Sequence, residues 1–270
     1  EFSMGKKARP PIPLLSGKII ETHCHLDYLS GEELVSTISK SRDVGVEKII
    51  TIAVSEDNQA VVRDIAESDP NVWCTQGLHP HEAASWSATF GEDLRTNATH
   101  PKVLAIGEIG LDYYYEHADP ETQITAFEGQ LAIAIEHDKP VVIHTREAEE
   151  DTKAVLGSVS TSLTKKGVIH SFTSSLDLAE FCLDEGFYLG FNGIATFKNA
   201  ENVREVIKAT PIERILLETD APYLTPVPYR GVPNAPFYLP FIALTVADLK
   251  QVSVEELLSV TYQNSLDCFY

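Results

Sequence analysis

Short apolar runs of strand length alternate along the chain with longer segments that have the hydrophobic period of a helix. The runs are rich in Ile, Val and Leu, which is typical of strands buried on both faces of a parallel sheet. Eight such runs occur, at residues 17–23, 47–54, 72–79, 102–110, 140–145, 167–172, 187–193 and 214–220. Their strict alternation with helical segments predicts an α/β protein built as a (β/α)8 TIM barrel rather than an open, doubly wound sheet.

The segments between the runs carry start and stop signals of helices. Pro120 stands just inside the start of one segment, and Pro140 follows its end. A helix tolerates proline in its first turn and excludes it from its interior, so this spacing bounds one helix. Gly45 and Gly186 close two other segments, as glycine often does after a helix. No G-x-G-x-x-G follows any run, which weakens a dinucleotide-binding alternative.

The chain carries no linker of biased composition that would divide it. A length of 270 residues suits one α/β barrel. Residues 1–3, ahead of Met4, resemble a cloning remnant. We therefore expect residues 1–16 to be a tag remnant and lead-in segment, and residues 17–270 to form a single TIM-barrel domain.

The composition limits the class of protein and its compartment. Hydrophobic residues make up 43% of the chain, which is enough for a large core. No apolar run reaches about 18 residues, so we expect no membrane span. The four cysteines are scattered and form no C-x-x-C pair, which predicts free buried thiols in a reducing compartment. We expect a cytoplasmic protein, and no obligate protein partner is evident.

The formal net charge of −19 bears on possible substrates. A protein that binds nucleic acid without reading its sequence normally carries a basic surface, which this chain lacks overall. A passive DNA-binding module is therefore disfavoured. A metal-dependent enzyme acting on phosphates stays compatible with this charge, because divalent ions can invert the local field.

Polar side chains stand at the ends of seven of the eight apolar runs, and only the second run lacks one. In a barrel the carboxyl ends of all strands meet at one mouth, where catalytic groups are found. Burying such groups is costly unless they are paired or bind a metal. The candidates are His23 and His25, which share one side of a strand by the two-residue period, and His79, Glu108, His144, His170, Asn192 and Asp220.

The candidate ligands are imidazole nitrogens and carboxylate oxygens, with no thiolate among them. This set favours Zn²⁺, Mn²⁺ or Mg²⁺ over iron–sulfur clusters or copper(I). Four of these histidines with the two carboxylates exceed the needs of one tetrahedral site and suit two ions. A carboxylate between two such ions can bridge them, and Glu108 is our choice for that bridge.

Seven short motifs together resemble one known family. They are "ETHCHLD", "GLHPH", "GEIGLDYY", "PVVIHTRE", "IHSFT", "GFNG" and "LLETDAPYLTP", which follow one another between residues 21 and 226. In this order they resemble the TatD-family metal-dependent deoxyribonucleases, within the amidohydrolase-like metallohydrolases. The segment "VTYQNSLDCF" is similar to the closing helix of that family. The resemblance covers nearly the whole chain.

The resemblance implies a ligand set for two divalent ions, with Zn, Mn and Mg all left open. One ion would be held by His23, His25 and Asp220, and the other by His144 and His170, with Glu108 bridging the two. It also implies hydrolysis of a phosphodiester by a metal-activated water, which Asp220 would orient or deprotonate. Finally, it implies that His79 and Arg146 lie near the substrate phosphate, a task that suits a guanidinium group.

The chain departs from the family pattern at four positions, none of them a proposed ligand. Glu21 stands where the family commonly has Asp, and Ser174 where Gly is frequent in a phosphate-facing loop. Val232 and Ala235 replace a basic and an acidic residue. These positions bear on substrate preference and rate.

Local structural roles compete with the functional ones for several residues. Arg146 could pair with the adjacent Glu147, Asn192 could form a turn before Gly193, and His79 could serve only the structure beside Pro80. His81 is left open between a loop position and the site. Glu218 shares one side of a strand with Asp220 and could support a ligand. Residues 113–115, three tyrosines in a row, could stack on a base but more often such a run packs a loop.

The leading functional hypothesis is a metal-dependent DNase of 3'-5' exonuclease type, acting on single-stranded ends, because a barrel mouth admits a strand end more readily than a stiff duplex. A second hypothesis keeps the metals and changes the substrate: an amidohydrolase, a lactonase or a small phosphoesterase. A third is a non-catalytic metal-binding scaffold, which would gain nothing from a metal coordination position that is left open to water.

Overall fold

The computed structural model describes residues 8–270. Its strands form one parallel eight-stranded sheet in sequential order. The bounds are β1 Ile19–Cys24, β2 Val46–Thr51, β3 Val72–Gln76, β4 Val103–Asp112, β5 Val141–Arg146, β6 Gly167–Ile169, β7 Tyr188–Phe191 and β8 Ile215–Leu217. The first and last strands meet through the Thr22 hydroxyl, which donates to the Leu217 carbonyl at 2.7 Å. The (β/α)8 TIM barrel predicted from the alternation is thereby confirmed.

Helices alternate with the strands around the outside of the barrel. Their bounds are α1 Gly31–Asp43, α2 Gln59–Glu67, α3 Ala88–Asn97, α4 Pro120–Glu136, α5 Glu149–Val159, α6 Leu176–Asp184, α7 Glu201–Ala209, α8 Leu239–Lys250 and α9 Val254–Phe269. Helix α4 begins at Pro120, as predicted, and the Asp119 carboxylate caps it by accepting the Thr122 amide at 2.7 Å. Gly45 and Gly186 follow helices with φ of 97° and 98°, the left-handed conformation that ends them.

The strands are buried on both faces, which explains their continuous apolar character. Ile49, Val141 and Ile143 belong to the large cluster packed under the helices. The intervening Ile50 and Val142 belong to a separate inner cluster. Cys268 and Phe269 of α9 join that inner cluster, so the closing helix seals one end of the barrel. The opposite end, where the strands terminate, is left free for a site.

All four cysteines are free and buried, as predicted. Within residues 8–270, no single helix is long and apolar enough to cross a membrane; residues Pro236–Lys250 and Val254–Phe269 pass the length and composition test only as a pair bent by 105°. Residues 1–7 of the predicted lead-in lie outside the described part of the chain. The remainder of that segment runs beside the last long loop, where the Tyr229 hydroxyl donates to the Pro10 carbonyl at 2.5 Å. The proposed boundary at residues 16 and 17 stays a prediction.

Gly167 allows β6 to start close against β5, and its replacement tests the barrel packing. Its φ is 117°, and a Cβ there would stand 2.0 Å from the Val141 carbonyl oxygen. We expect Gly167→Ala to lower the free energy of unfolding by about 3 kcal/mol, because the backbone of β5 must move. Gly157 inside α5 is the control, since its Cβ would meet Phe181 at an ordinary 3.6 Å. Gly157→Ala should raise the free energy of unfolding by about 0.5–1 kcal/mol. Urea titration followed by circular dichroism measures both, and equal effects would contradict the packing described.

Candidate metal centre

The predicted site residues meet at the mouth of the barrel, around the carboxyl ends of the strands. His23, Glu108 and His144 lie within β1, β4 and β5. The others lie just past the ends of β1, β3, β6 and β8, which are shorter than the apolar runs suggested; they are His25, His79, His170 and Asp220.

A β-bulge turns Glu108 into the barrel. Along β4, Ala105 belongs to the inner cluster and Ile106 to the outer one, so strict alternation would point Glu108 outward. Instead, Gly107 and Ile109 pair with consecutive residues of β5, which leaves Glu108 as the extra residue of a bulge. Its carboxylate is 3% exposed and faces the centre of the mouth. A second register shift, between Glu21 and Cys24, occurs in β1 at His23.

The two oxygens of Glu108 face different histidines. Oε1 lies 3.2 Å from Nε2 of His23. Oε2 lies 3.1 Å from Nδ1 of His144 and 3.2 Å from Nε2 of His170. Burial raises the pKa of Glu108, but the surrounding imidazoles, His170 first, outweigh it and hold that pKa well below its usual value. The carboxylate is therefore ionised, and it is divided between two groups of nitrogens.

Asp220 completes the group on the β1 side. Its Oδ1 lies 3.1 Å from Nε2 of His25 and 3.4 Å from Nε2 of His23. Burial raises the pKa of Asp220, but the hydrogen bond from His25 and the charges of nearby imidazoles lower it overall. The imidazole of His23 stacks on that of His170 with ring centroids 3.6 Å apart, so the two groups of ligands are adjacent.

His23 provides the strongest sign that a cation belongs here. Among the described residues, neither of its buried ring nitrogens forms a hydrogen bond; Nε2 is near the Glu108 and Asp220 oxygens but not in hydrogen-bond geometry with either. A buried polar atom without a partner costs about 1–3 kcal/mol, so it needs an explanation. Ligand atoms converge within 4.8 Å in three sets: His23, His25 and Asp220; His23, Glu108 and His170; His79, Glu108 and His144. The nitrogen and oxygen donors fit a divalent ion such as zinc or manganese.

Two carboxylates outside these sets fix which nitrogen of a histidine faces Glu108. Nε2 of His144 lies 2.8 Å from Oδ2 of Asp112, which leaves Nδ1 directed at Glu108. Nδ1 of His170 lies 2.9 Å from Oε2 of Glu218, which leaves Nε2 directed there. Such partners orient the ring of a ligating histidine and raise its basicity. Glu218 thus contacts His170 as a support for a ligand would, and its role in metal binding stays a prediction.

Asp112 is the site residue that sequence reasoning missed. It is the last residue of β4, and its Oδ2 also lies 3.2 Å from Nε2 of His81. The signal was present, since Asp112 follows Glu108 by four residues inside the "GEIGLDYY" motif. The same contact ties His81, a loop residue left open by the sequence, to the edge of the site.

His79 has a different character from the other histidines. Its Nδ1 accepts the backbone N–H of His81 at 3.0 Å. Burial lowers its pKa well below the usual value, so the ring is neutral and its one proton is on Nε2. Nε2 lies 3.4 Å from Glu108, but its proton cannot pass to Nδ1, which already accepts a hydrogen bond, so this nitrogen donates and does not ligate. This favours the predicted role beside the substrate over a role as a metal ligand.

A cavity of about 1550 Å³ opens above these residues. Arg146 is its only lining Lys or Arg within residues 8–270, and the other charged lining residues include Asp27, Glu82 and Glu147. The Arg146 guanidinium lies 4.0 Å from the centre of the Tyr114 ring. Among the described residues it forms no ion pair, so the alternative pairing with Glu147 is not present. Its charge is available to an anion in the cavity.

The remaining sequence candidates have structural contacts. The Asn192 side chain accepts the Ile194 amide at 3.1 Å, which forms the predicted turn, and also donates to Glu218 at 3.2 Å. The departure at Glu21 is fully buried; it accepts the Thr219 amide at 2.9 Å, and burial raises its pKa to about 8. Ser174 lines the cavity, whereas Val232 and Ala235 lie in the hydrophobic cluster around Tyr238.

Comparison with known proteins agrees with this geometry. The sequence model of the TatD-related DNase family matches residues 20–270. The chain belongs to this family. A metal-dependent hydrolase of Bacillus subtilis, YabD, is 34% identical over 252 residues, which cover 93% of this chain and 98% of that protein. A relative from Erwinia amylovora, named a 3'-5' ssDNA/RNA exonuclease, is 37% identical over 238 residues, covering 86% and 92%.

Solved structures give the same assignment. The crystal structure of YjjV, a TatD homologue of Escherichia coli, superposes on this chain with a TM-score of 0.85 at 30% identity, covering 93% of this chain and 97% of that one. The chain is thus a TatD-family hydrolase with a TIM-barrel fold, and the sequence-based recognition of the family is confirmed.

Glu108→Gln tests whether one carboxylate serves both groups of ligands. We expect the metal-free wild-type protein to take up two divalent ions per chain and the variant to bind both at least about 10-fold more weakly, because each oxygen of Glu108 faces a different group. Isothermal titration with Mn²⁺ and Zn²⁺ measures this, with Glu128→Gln on the exposed face of α4 as the control. Unchanged stoichiometry and affinity in Glu108→Gln would refute the shared role.

Asp112→Asn tests the orientation of His144. An amide at this position no longer holds the proton on Nε2 by charge, so Nδ1 is less available to a cation. We expect metal affinity about 10–100-fold below that of the wild type, with the fold retained. Competition with a metal-binding dye measures the affinity, and Asp93→Asn on the exposed surface of α3 is the matched control. If the two variants behave alike, Asp112 does not position His144.

Proposed function

We propose that this TatD-family protein is a divalent-metal-dependent nuclease that hydrolyses phosphodiester bonds at the ends of single-stranded DNA, with 3'-5' exonuclease polarity. The observation that carries the proposal is the ionised Glu108 carboxylate, held between two groups of histidines beneath an open cavity. The exonuclease name of the Erwinia amylovora relative supports the choice of substrate and polarity.

The proposed centre holds two divalent ions, of which Zn²⁺, Mn²⁺ and Mg²⁺ are candidates. One group of ligands is His23, His25 and Asp220, whose ligand atoms converge. The other is His144 and His170, which face the same oxygen of Glu108, and Glu108 is shared between the two groups. When bound, the ions would lower the pKa of a water molecule toward neutrality and offset the negative charge of the phosphate.

Asp220 is proposed to orient the attacking water and accept its proton. Its lowered pKa keeps the carboxylate ionised near neutral pH, as a base must be. Its side chain is 16% exposed, so one edge remains open to the cavity while Oδ1 faces His25. A carboxylate in this position can hydrogen-bond a water molecule that approaches the phosphorus.

His79 and Arg146 are proposed to bind the substrate phosphate. The Nε2 proton of His79 and the guanidinium of Arg146, which forms no ion pair within residues 8–270, both belong to the cavity wall. Each can donate to a non-bridging phosphate oxygen, and the guanidinium fork can donate twice. These donors stabilise the charge that builds up on phosphorus oxygens in the transition state.

The charge distribution supports an anionic substrate that binds through a few local positive charges. The chain has a formal net charge of −19, and carboxylates outnumber Arg146 around the cavity. A polyanion is repelled by such a surface unless cations occupy the centre. The volume of about 1550 Å³ exceeds that of a typical small-molecule pocket and suits more than one nucleotide. The cytoplasm remains the predicted location.

The test is a panel of single-stranded oligodeoxynucleotides, matched duplexes, small amides and lactones, each assayed with Mg²⁺, Mn²⁺ and Zn²⁺. We expect metal-dependent release of nucleotides from the 3' end of single strands. Asp220→Asn should reduce that rate by about 1000-fold or more, equivalent to about 4 kcal/mol of transition-state stabilisation. Asp93→Asn serves again as the control. Cleavage of amides or lactones with oligonucleotides left intact would overturn the nuclease proposal in favour of an amidohydrolase or lactonase.

A further inference from the structure

Four tyrosines with unusually exposed rings surround the mouth of the barrel. Tyr28 is 60% exposed, Tyr114 57%, Tyr115 53% and Tyr223 47%. Within the described residues, these are the only tyrosines among the large exposed hydrophobic side chains. An exposed aromatic ring gains little by facing water, and such rings are typical of surfaces that bind a flat apolar partner.

The first pair, Tyr28 and Tyr223, joins the loops that follow β1 and β8. Their hydroxyl groups are hydrogen-bonded to each other, and their rings are edge-to-face with centroids 5.6 Å apart. Each ring centroid also lies 6.2 Å from that of His25. Both tyrosines line the cavity, so this pair stands directly beside the His25 and Asp220 side of the centre.

The second pair, Tyr114 and Tyr115, follows β4. Their rings are also edge-to-face, with centroids 4.8 Å apart. Arg146, at the end of β5, covers the Tyr114 ring and lies 5.0 Å from the centre of the Tyr115 ring. Tyr115 and Arg146 line the cavity, whereas Tyr114 carries Arg146 on its ring, so Tyr115 is the ring of this pair that a base can reach. For residues 113–115 the sequence allowed either loop packing or stacking on a base. Of these three side chains, Tyr113 is held in place by its hydroxyl, which donates to Asp151 at 2.6 Å.

The two pairs stand on opposite sides of the centre. In an eight-stranded barrel of sequential order, the junction of β8 with β1 is diametrically opposite the junction of β4 with β5. Glu108 and its histidines lie between these junctions at the mouth. A strand that crosses the mouth along this diameter, with its phosphate at the centre, would extend toward one tyrosine pair in each direction.

We propose that the Tyr28/Tyr223 pair and the Tyr114/Tyr115 pair are two base-stacking platforms that bind the nucleotides on either side of the scissile phosphate. The inference rests on the proposed nuclease function and specifies its substrate: a strand whose bases are unpaired and unstacked. Aromatic side chains bind single strands because every base has a π-face, whereas bases inside a duplex already stack on their neighbours.

This arrangement gives a physical reason for a preference for single strands that does not depend on sequence. Stacking tolerates any base, so no edge-specific hydrogen bonds are needed. It also compensates for the scarcity of Lys and Arg around the cavity, because part of the affinity comes from rings and not from charge. The tyrosines around the mouth would contact the bases, and the metal centre would bind the phosphate.

Substitutions that remove the aromatic face but keep the apolar volume test the platforms. The variants are Tyr28→Leu, Tyr223→Leu and Tyr115→Leu, each beside its Tyr→Phe counterpart, which keeps the ring and removes the hydroxyl. Two 5'-labelled probes of equal length are used, an ordinary single-stranded oligodeoxynucleotide and one whose residues are all abasic. Fluorescence anisotropy in Ca²⁺ measures binding, and cleavage in Mg²⁺ or Mn²⁺ gives kcat and KM.

For the ordinary strand, we expect each Leu variant to raise Kd and KM by about 10-fold, the size of one lost stacked base. For the abasic strand, the same variants should change both by less than about 2-fold, and the Phe variants should match the wild type on both probes. Tyr262→Leu, on α9 at the sealed end of the barrel, controls for the loss of a tyrosine elsewhere.

Two results would overturn the inference: equal losses on both probes, which would make the rings structural, or no loss on either. Failure of the nuclease proposal is distinguishable from both. In that case the wild type would cleave neither strand with any divalent ion, and the two probes would bind equally weakly.

Discussion

A single carboxylate buried among imidazoles is the constraint on which the rest of the structure depends. Glu108 is almost inaccessible to water, yet it is ionised because His23, His144 and His170 surround it. A buried charge is tolerated only with such partners. The barrel meets this need by bringing together strand ends that are far apart in sequence, and by a bulge in β4 that turns the side chain inward.

Much of this could be predicted from the sequence, and the reason is physical. Strands buried on both faces are apolar throughout, so all eight appear as runs, and a polar residue at the end of a run is conspicuous. Glu108 was also found at the end of a run, but its inward direction could not be predicted, because alternation from Ala105 and Ile106 points it outward. Asp112 was missed since a lone Asp at a strand end has many uses. Its contact with His144 depends on a fold-level register that no local pattern records.

The architecture also separates stability from chemistry. Helix α9 seals one end of the barrel with Cys268 and Phe269, and the other end carries the charged residues, the cavity and the exposed tyrosines. At the mouth, the free-energy cost of burying carboxylates is offset by the neighbouring imidazoles. The acidic residues around the cavity repel a phosphate, and bound cations would offset that repulsion. The proposed substrate, a flexible polyanion with exposed bases, rests on the ligand set at this end of the barrel and on the exposed tyrosines around it.

The most direct test of the central claim is anomalous diffraction from crystals grown with Mn²⁺ or Zn²⁺. Two peaks per chain are expected, both within coordination distance of Glu108. One should also contact His23, His25 and Asp220, and the other His144 and His170. Ions bound away from Glu108, or peaks whose ligands exclude these histidines, would contradict the shared role of Glu108.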